Sequence, residues 1–284
     1  MRPGSNHQIS CRGITLDLTV PRVMGILNAT PDSFSDGGYF DSKQAALDRI
    51  DEMVGEGADI IDVGGESTRP GAEPVSADEE IRRVIPILTS AVSRFPSVLF
   101  SIDTTKYEVA EAALEAGAHI LNDVSGLRKE PRFAGLCSQY GAAYILMHSQ
   151  GDPETMQQNP TYGNVITDLN RFFRNQLSIL KREKVGSVIL DPGIGFGKNL
   201  EHNLQIIAGL SSFAVHGCPL MAGASRKSMI GQILHGRPVS DRLAGTLAVH
   251  YHCMVNGARL LRVHDVRAAV DSVEVFEAIR SVES

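Results

Sequence analysis

The stretch Val188-Ile189-Leu190-Asp191-Pro192-Gly193-Ile194-Gly195-Phe196-Gly197-Lys198 sets the reading of the whole chain. A short apolar run ends on a carboxylate, and a glycine-rich loop follows at once. Proline stops the strand, and alternate glycines let the backbone approach a ligand or take positive φ. A parallel α/β fold delivers a site residue in this way. Taken alone, the segment also reads as a strand-to-helix turn in which Asp191 caps the helix. The same arrangement recurs along the chain, and that recurrence favours the first reading.

On the C-terminal side, Leu200–Phe213 reads as a helix and Pro219–Gly223 as a strand. Two helical pieces then surround Gly236-Arg237-Pro238. Arg259–Val263 is a last strand ending at His264-Asp265, followed by a helix to about Ser281. On the N-terminal side, Asn164–Glu183 is helical and Ala143–Met147 is a strand ending at His148, with a polar loop of about Ser149–Tyr162 between them. His119–Leu121, Val98–Ile102, Asp59–Val63 and Val23–Leu27 read as earlier strands. Helices over about Arg132–Tyr140, up to Ala116, after a Ser76-Ala77-Asp78-Glu79 capping box, and over about Ser42–Glu56 separate them. Thr104 or Thr105 is the expected cap of the helix ending at Ala116, and Gly117 its stop. Residues 14–19 alternate apolar and polar, as a small strand or half of a hairpin closing one end. Eight strand-then-helix units with no linker predict one domain over 1–284, a (β/α)8 TIM barrel. An open doubly wound sheet is the alternative. It usually has fewer units and one phosphate loop after its first strand.

The 284 residues are 43% hydrophobic and 21% charged, enough for a large core, and the net charge of −6 argues against a nucleic-acid or anionic-membrane surface. The cysteines Cys11, Cys137, Cys218 and Cys253 are far apart and suggest neither a zinc cluster nor a disulfide framework. No run approaches the ~20 apolar residues of a membrane span, and no signal peptide is evident, so the cytoplasm is the expected compartment.

The strands stop on Asn28, Asp62, Asp103, Asn122, His148, Asp191 and His264. A barrel gathers such residues on its C-terminal rim. Singly, Asp62, Asp123 and His148 read better as caps or turn residues. Cationic runs, Ser225-Arg226-Lys227-Ser228 at a helix start and Arg262-Val263-His264-Asp265, suit a phosphate or carboxylate. The polar loops holding Asn28 to Gly38 and Ser67-Thr68-Arg69 are candidate lids.

These runs together carry a resemblance. Met24-Gly25-Ile26-Leu27-Asn28-Ala29-Thr30-Pro31-Asp32-Ser33-Phe34-Ser35-Asp36-Gly37-Gly38 and Gly64-Gly65-Glu66-Ser67-Thr68-Arg69-Pro70-Gly71 are its most specific parts, with Leu190-Asp191-Pro192-Gly193 and Phe196-Gly197-Lys198. Ser101-Ile102-Asp103-Thr104, Leu121-Asn122-Asp123, Ser225-Arg226-Lys227-Ser228 and Arg262-Val263-His264-Asp265-Val266 complete it. The chain resembles the dihydropteroate synthases, the folate-pathway transferases that sulfonamides inhibit. The resemblance implies a (β/α)8 fold, commonly a homodimer, and condensation of 6-hydroxymethyl-7,8-dihydropterin diphosphate with p-aminobenzoate to give 7,8-dihydropteroate and diphosphate. It implies a pterin site of Asp103, Asn122, Asp191, Phe196, Lys227 and Arg262. Asn28, Arg262 and His264 would hold the diphosphate, with Asn28 also binding Mg2+. Phe34, Thr68, Arg69, Pro70 and Ser225 would hold p-aminobenzoate. Catalysis would fall to Asp103, Lys227, Asp36 and Arg262 in an SN1-like reaction through a pterin cation, stabilised by Asp103 and Asp36.

Ser149 stands where relatives commonly carry a methionine lining the pterin pocket, which bears on ring packing. A folate-dependent methyltransferase on the same barrel is the rival enzyme reading. It would keep Asp103, Asn122 and Asp191 but needs no diphosphate or aminobenzoate site. A catalytically silent pterin-binding barrel is a third reading. The helix near Val239–Val255, with Leu243, Leu247 and Val255, reads as interface or core, core being the default.

Overall fold

The computed structural model describes residues 7–29, 39–66, 74–151 and 160–282. Eight parallel strands close into a barrel: β3 (Arg22–Asn28), β4 (Ile60–Gly64), β5 (Leu99–Asp103), β6 (Ile120–Asp123), β7 (Ala143–Met147), β8 (Val188–Asp191), β9 (Leu220–Ala222) and β10 (Ala258–Val263), with β10 paired to β3. The expected (β/α)8 barrel is therefore the fold, and the open sheet is not. Helices α1 (Tyr39–Gly55), α2 (Ala77–Arg94), α3 (Tyr107–Glu115), α4 (Phe133–Tyr140), α5 (Val165–Arg182), α6 (Leu200–Ala208), α7 (Ser228–Ile233), α8 (Leu243–Val255) and α9 (Val266–Arg280) follow the strands.

The period of two along each strand sorts side chains into two cores. Met24, Ile60, Leu99, Ile120, Ala143, Ile145, Ile189, Met221 and Leu260 fill the barrel interior. Their neighbours one residue on, such as Ile61, Phe100, Leu121, Tyr144, Leu190 and Leu261, pack outward under the helices. A further step of two beyond the inner layer reaches Asp62, Asn122, Asp191 and Arg262, so the sequence parity that buries the inner apolar residues also aims these polar ones into the barrel mouth.

The opposite end is closed by a hairpin of β1 (Gln8–Cys11) and β2 (Ile14–Asp17). Its two connecting residues, Arg12 at φ 51° and Gly13 at φ 85°, both lie in the left-handed region, which matches the twist of a two-residue hairpin. Ile9, Cys11 and Leu18 from this segment are buried against the inner layer, and Ser10 N–H donates to Ser187 Oγ at 2.9 Å.

Some local expectations change. The helix expected over Leu200–Phe213 breaks at Gly209, after which a 3-10 helix runs over Leu210–His216. The helix after β5 begins at Tyr107, later than a Thr104 or Thr105 cap requires. Thr104 Oγ1 instead accepts from Lys106 N–H at 3.2 Å, a turn that precedes the helix. Ser76 caps α2 by accepting from Glu79 N–H, but the Glu79 carboxylate turns to Arg82 and Arg83 and does not complete a capping box. Of the residues near α8, Leu243 at 39% and Val255 at 62% are exposed and not core, as is Val239 at 50%; Leu247 is half-buried, and Cys253 and Met254 of the same helix do belong to the core.

Leu18 is fully buried in the plug. Leu18→Ala is expected to lower unfolding stability by about 2–4 kcal/mol, the range for a large-to-small core change, read as a shift of the urea midpoint. An unshifted midpoint would show that the hairpin does not seal the barrel.

Candidate active site

The centre of the site is an arginine between two carboxylates. Arg262, on β10, donates from Nε to Asp62 Oδ2 and from Nη2 to Asp103 Oδ2, both at 2.7 Å. Asp62 Oδ2 also accepts from Asn122 Nδ2 at 2.9 Å. One guanidinium thus serves two carboxylates and leaves a negative charge over. Burial raises Asp103 to about 7, with Asp62 adding to the rise and Arg262 opposing it. For Arg262, burial works against its charge, but Asp62 and Asp103 hold it protonated more firmly than usual.

Asp191 ends β8 and accepts from Gly193 N–H at 2.7 Å through Oδ1. Its second oxygen lies beside Gly223, where a Cβ would stand 3.8 Å from Asp191 Oδ2 and 3.8 Å from Arg262 Cβ. The bare glycine keeps that space open between the two. Burial also raises Asp191, against the fields of Lys227, Arg262 and Lys198. Lys227 Nζ donates to Ile194 O and sits 4.2 Å from the centre of the Phe196 ring, a cation–π contact. Burial lowers Lys227 to about 8, with Asp191 opposing. Asp103, Asp191, Lys227 and Arg262 therefore share one neighbourhood, as do Asn122 and Phe196.

The alternation of glycines after Asp191 has a steric cause. Gly193 has φ +67°, and a Cβ there would lie 1.9 Å from His148 O. The loop packs flat on the chain leaving β7. Lys198 secures it from beneath, donating to His148 O at 3.1 Å and Phe196 O at 2.9 Å, with His148 Nδ1 at 3.1 Å.

At the other edge, Ser225 Oγ lies 3.0 Å from His264 Nδ1 and accepts from His264 N–H at 3.2 Å. Asn28 ends β3, beside β10, on the inward parity of Met24. Phe34, Asp36, Thr68, Arg69 and Pro70 lie outside the described residues.

Several buried polar atoms in the mouth have no hydrogen-bond partner among the described residues: Asp62 Oδ1, Ser101 Oγ and Asn122 Oδ1. Buried polar atoms are normally satisfied. Asn122 spends its N–H on Asp62, so its carbonyl is left as an acceptor, as is one oxygen of Asp191. A ligand that fits must bring N–H donors to one side and tolerate a cation, Lys227, at the other. The free acceptors suit a ligand edge that presents N–H donors.

Sequence reading missed Asp62 as a site residue. It belongs to the strand-end set expected on the rim but singly reads as a cap, and its side chain carries Arg262 and Asn122. The available signal was parity: Asp62 lies two residues beyond Ile60, which fills the barrel. Ser101 and Met147 share that signal, Met147 pairing in register with Asp191. Ser149 instead donates to Val124 O at 2.9 Å and accepts from Arg128, so its hydroxyl is held by the neighbouring loop. Asp123 does have the expected turn role, accepting from Ser125 N–H at 2.7 Å, Leu127 N–H at 2.8 Å and Tyr144 Oη at 2.5 Å. His148 faces outward, against Phe172 and Lys198, and is not in the mouth.

Residues 24–264 match the family model described as pterin binding enzyme. The chain belongs to the pterin-binding enzymes. Within that family it is 46% identical over 276 residues to the dihydropteroate synthase of Escherichia coli (strain K12), covering 96% of this chain and 97% of that one. It is also 46% identical to the dihydropteroate synthase of a Synechocystis strain, over 90% of this chain and 89% of the relative. Among solved structures, the Yersinia pestis dihydropteroate synthase in a sulfonamide drug complex superposes with a TM-score of 0.90 at 44% identity, covering 96% of this chain and 99% of the other. The Xanthomonas albilineans dihydropteroate synthase with 4-aminobenzoic acid gives 0.90 at 40% identity, covering 97% and 99%. The pterin-binding family model ends at His264, so it takes in the whole set of strand-end residues just described.

Proposed function

We propose that the chain acts as a dihydropteroate synthase, joining 6-hydroxymethyl-7,8-dihydropterin diphosphate to p-aminobenzoate. The observation that carries this reading is the pair of unspent acceptors, Asn122 Oδ1 and one oxygen of Asp191, facing one cavity with Lys227 and Arg262. A pterin presents its amino group and adjacent ring N–H as a double donor, which a carboxylate accepts as a fork. Asp191 takes that edge and Asn122 a further ring N–H. Lys227 donates to the ring carbonyl or a ring nitrogen, with Phe196 walling the pocket and Met147 beside Asp191 as packing.

The bond that breaks joins the exocyclic CH2 to the diphosphate oxygen, which leaves with the electron pair. Positive charge develops on the pterin and is delocalised into the ring. Asp103 and Asp62 hold one arginine between them, so a net negative charge stands ready for that cation. Asp36 is the further carboxylate in this proposal. The neutral amine of p-aminobenzoate then donates its lone pair to the CH2 carbon, and the ammonium so formed loses a proton to solvent or to the released diphosphate. Its carboxylate is assigned to Ser225, with Phe34, Thr68, Arg69 and Pro70 completing the site. The same residues would receive a sulfonamide.

The diphosphate is assigned to Asn28, Arg262 and His264. No group of three His, Cys, Asp or Glu side chains among the described residues forms a metal cage. Mg2+ does not need one where substrate phosphates supply oxygens, and the Asn28 amide oxygen fits as its protein ligand. Bound Mg2+ would neutralise charge on the leaving diphosphate.

A second copy of the chain is the proposed partner. The outer side of α7 and α8 exposes Ile233 at 41%, and Val239, Leu243 and Val255 extend the same apolar character. No helix among the described residues is long and apolar enough to cross a membrane.

Purified protein with both substrates and Mg2+ is expected to form dihydropteroate, and chelation to abolish it; no product would end this reading. Because Asp103 must be ionised to stabilise a cation, kcat should rise with pH through about 7, the ionised fraction growing as the proton leaves. Asp103→Asn should remove that limb and slow turnover about a hundredfold or more. An unchanged pH profile in Asp103→Asn would assign the limb elsewhere. Positional isotope exchange within the diphosphate, in the absence of p-aminobenzoate, is the expected mark of an SN1-like route. Its absence, together with inversion at a chirally labelled CH2, would indicate direct displacement. Light scattering should return twice the chain mass, falling to one chain mass in Leu243→Asp. A monomeric parent would rule out the dimer.

A further inference from the structure

The loop that follows β9, Gly223-Ala224-Ser225-Arg226-Lys227, carries two proposed ligand contacts on either side of a strained residue. Arg226 has φ 56°, in the left-handed region, although it is not glycine. Such a conformation is unfavourable for a residue with a Cβ and persists only where its surroundings over-determine it. At Arg226 they do. Its N–H donates to Thr246 Oγ1 at 3.0 Å, and its carbonyl accepts from Arg242 Nη1 at 3.0 Å. Its side chain forms a two-point ion pair with Asp265. Two residues earlier, Ala224 N–H donates to His250 Nε2 at 3.2 Å.

Arg242, Thr246 and His250 are spaced by four along α8 and its first turn, so they form one stripe along a single helix face. Each takes a backbone group of the loop. Thr246 and His250 are buried, and burial lowers His250 to about 4, so it stays neutral and its Nε2 remains an acceptor. Gly231 on α7 admits the stripe: a Cβ there would lie 2.6 Å from Arg242 Nη2. The kink at Arg226 turns Ser225 toward His264 and Lys227 toward Phe196 and Ile194.

We propose that Arg242, Thr246 and His250 are positioning residues, which hold Arg226 in its left-handed conformation and thereby place Ser225 and Lys227 for p-aminobenzoate and the pterin. This rests on the function proposed above. None of the three touches substrate in this account; each acts through the loop backbone. The other cavity groups, Asp103, Asn122, Asp191 and Arg262, belong to other strands and do not depend on the stripe.

Thr246→Val is the direct test, since it keeps shape and removes the acceptor for Arg226 N–H. Both KM values are expected to rise about tenfold, the size of one lost hydrogen bond, while kcat falls by less than that. Thr246→Ser should restore the parent values. A role in packing alone would lower thermal stability without this split between KM and kcat, and serine would not rescue it. Parent-like KM values in a folded Thr246→Val protein overturn the proposal, as does an equal rise in Thr246→Ser. If Thr246→Val does not fold, Arg242→Gln, at the less buried end of the stripe, decides the matter: raised KM values for both substrates support the proposal, and parent-like values overturn it. A parent protein that forms no dihydropteroate would instead defeat the proposed function, which separates the two failures.

Discussion

A guanidinium held between two carboxylates at the mouth of a closed barrel is the constraint on which the site depends. Arg262 joins β10 to β4 and β5 through Asp62 and Asp103. These strands are distant in sequence and come together because the barrel closes. Burying such charges is costly unless each is paired and hydrogen-bonded, and here the pairing is incomplete by one charge. The surplus does not contribute to stability. It leaves a negative field fixed at the barrel mouth by the fold itself.

The geometry that permits this is the pleat. Each strand alternates inward and outward, so Leu260 and Arg262, or Ile60 and Asp62, stand on the same inner side at successive levels. The lower level is apolar and is sealed from below by the hairpin residues Ile9, Cys11 and Leu18. The upper level is polar. One barrel is thus an apolar packed core at its lower level and a cluster of paired charged and polar groups at its mouth.

Two loops at the barrel mouth are held through their backbone groups. Lys198 ties the glycine loop to the chain leaving β7, and α8 holds the loop after β9 through Arg226. Both devices fix left-handed backbone, at Gly193 and at Arg226. Leu243 and Val255 of α8 remain exposed, so the helix that holds the loop after β9 also presents apolar side chains outward.

Much of the fold was legible in the sequence because strand-then-helix alternation is a local property: apolar runs of strand length, glycine and proline stops, and helical periodicity all lie within a few residues of one another. The strand-end residues Asp103, Asn122 and Asp191 were legible for the same reason, and motif resemblance assigned them roles. Asp62 was not, because an aspartate near a strand end looks locally like a cap. Only closure of the barrel brings it within 2.7 Å of Arg262 Nε, 200 positions away. The backbone-holding roles of Lys198 and Thr246, and the exposure of Leu243, were likewise invisible, since each depends on which element packs against which. The sequence by itself determined the units, their order and the inward parity of their side chains. The tertiary structure alone decided which charges share a counter-ion, because pairing of buried charges is set by distance in space and not along the chain.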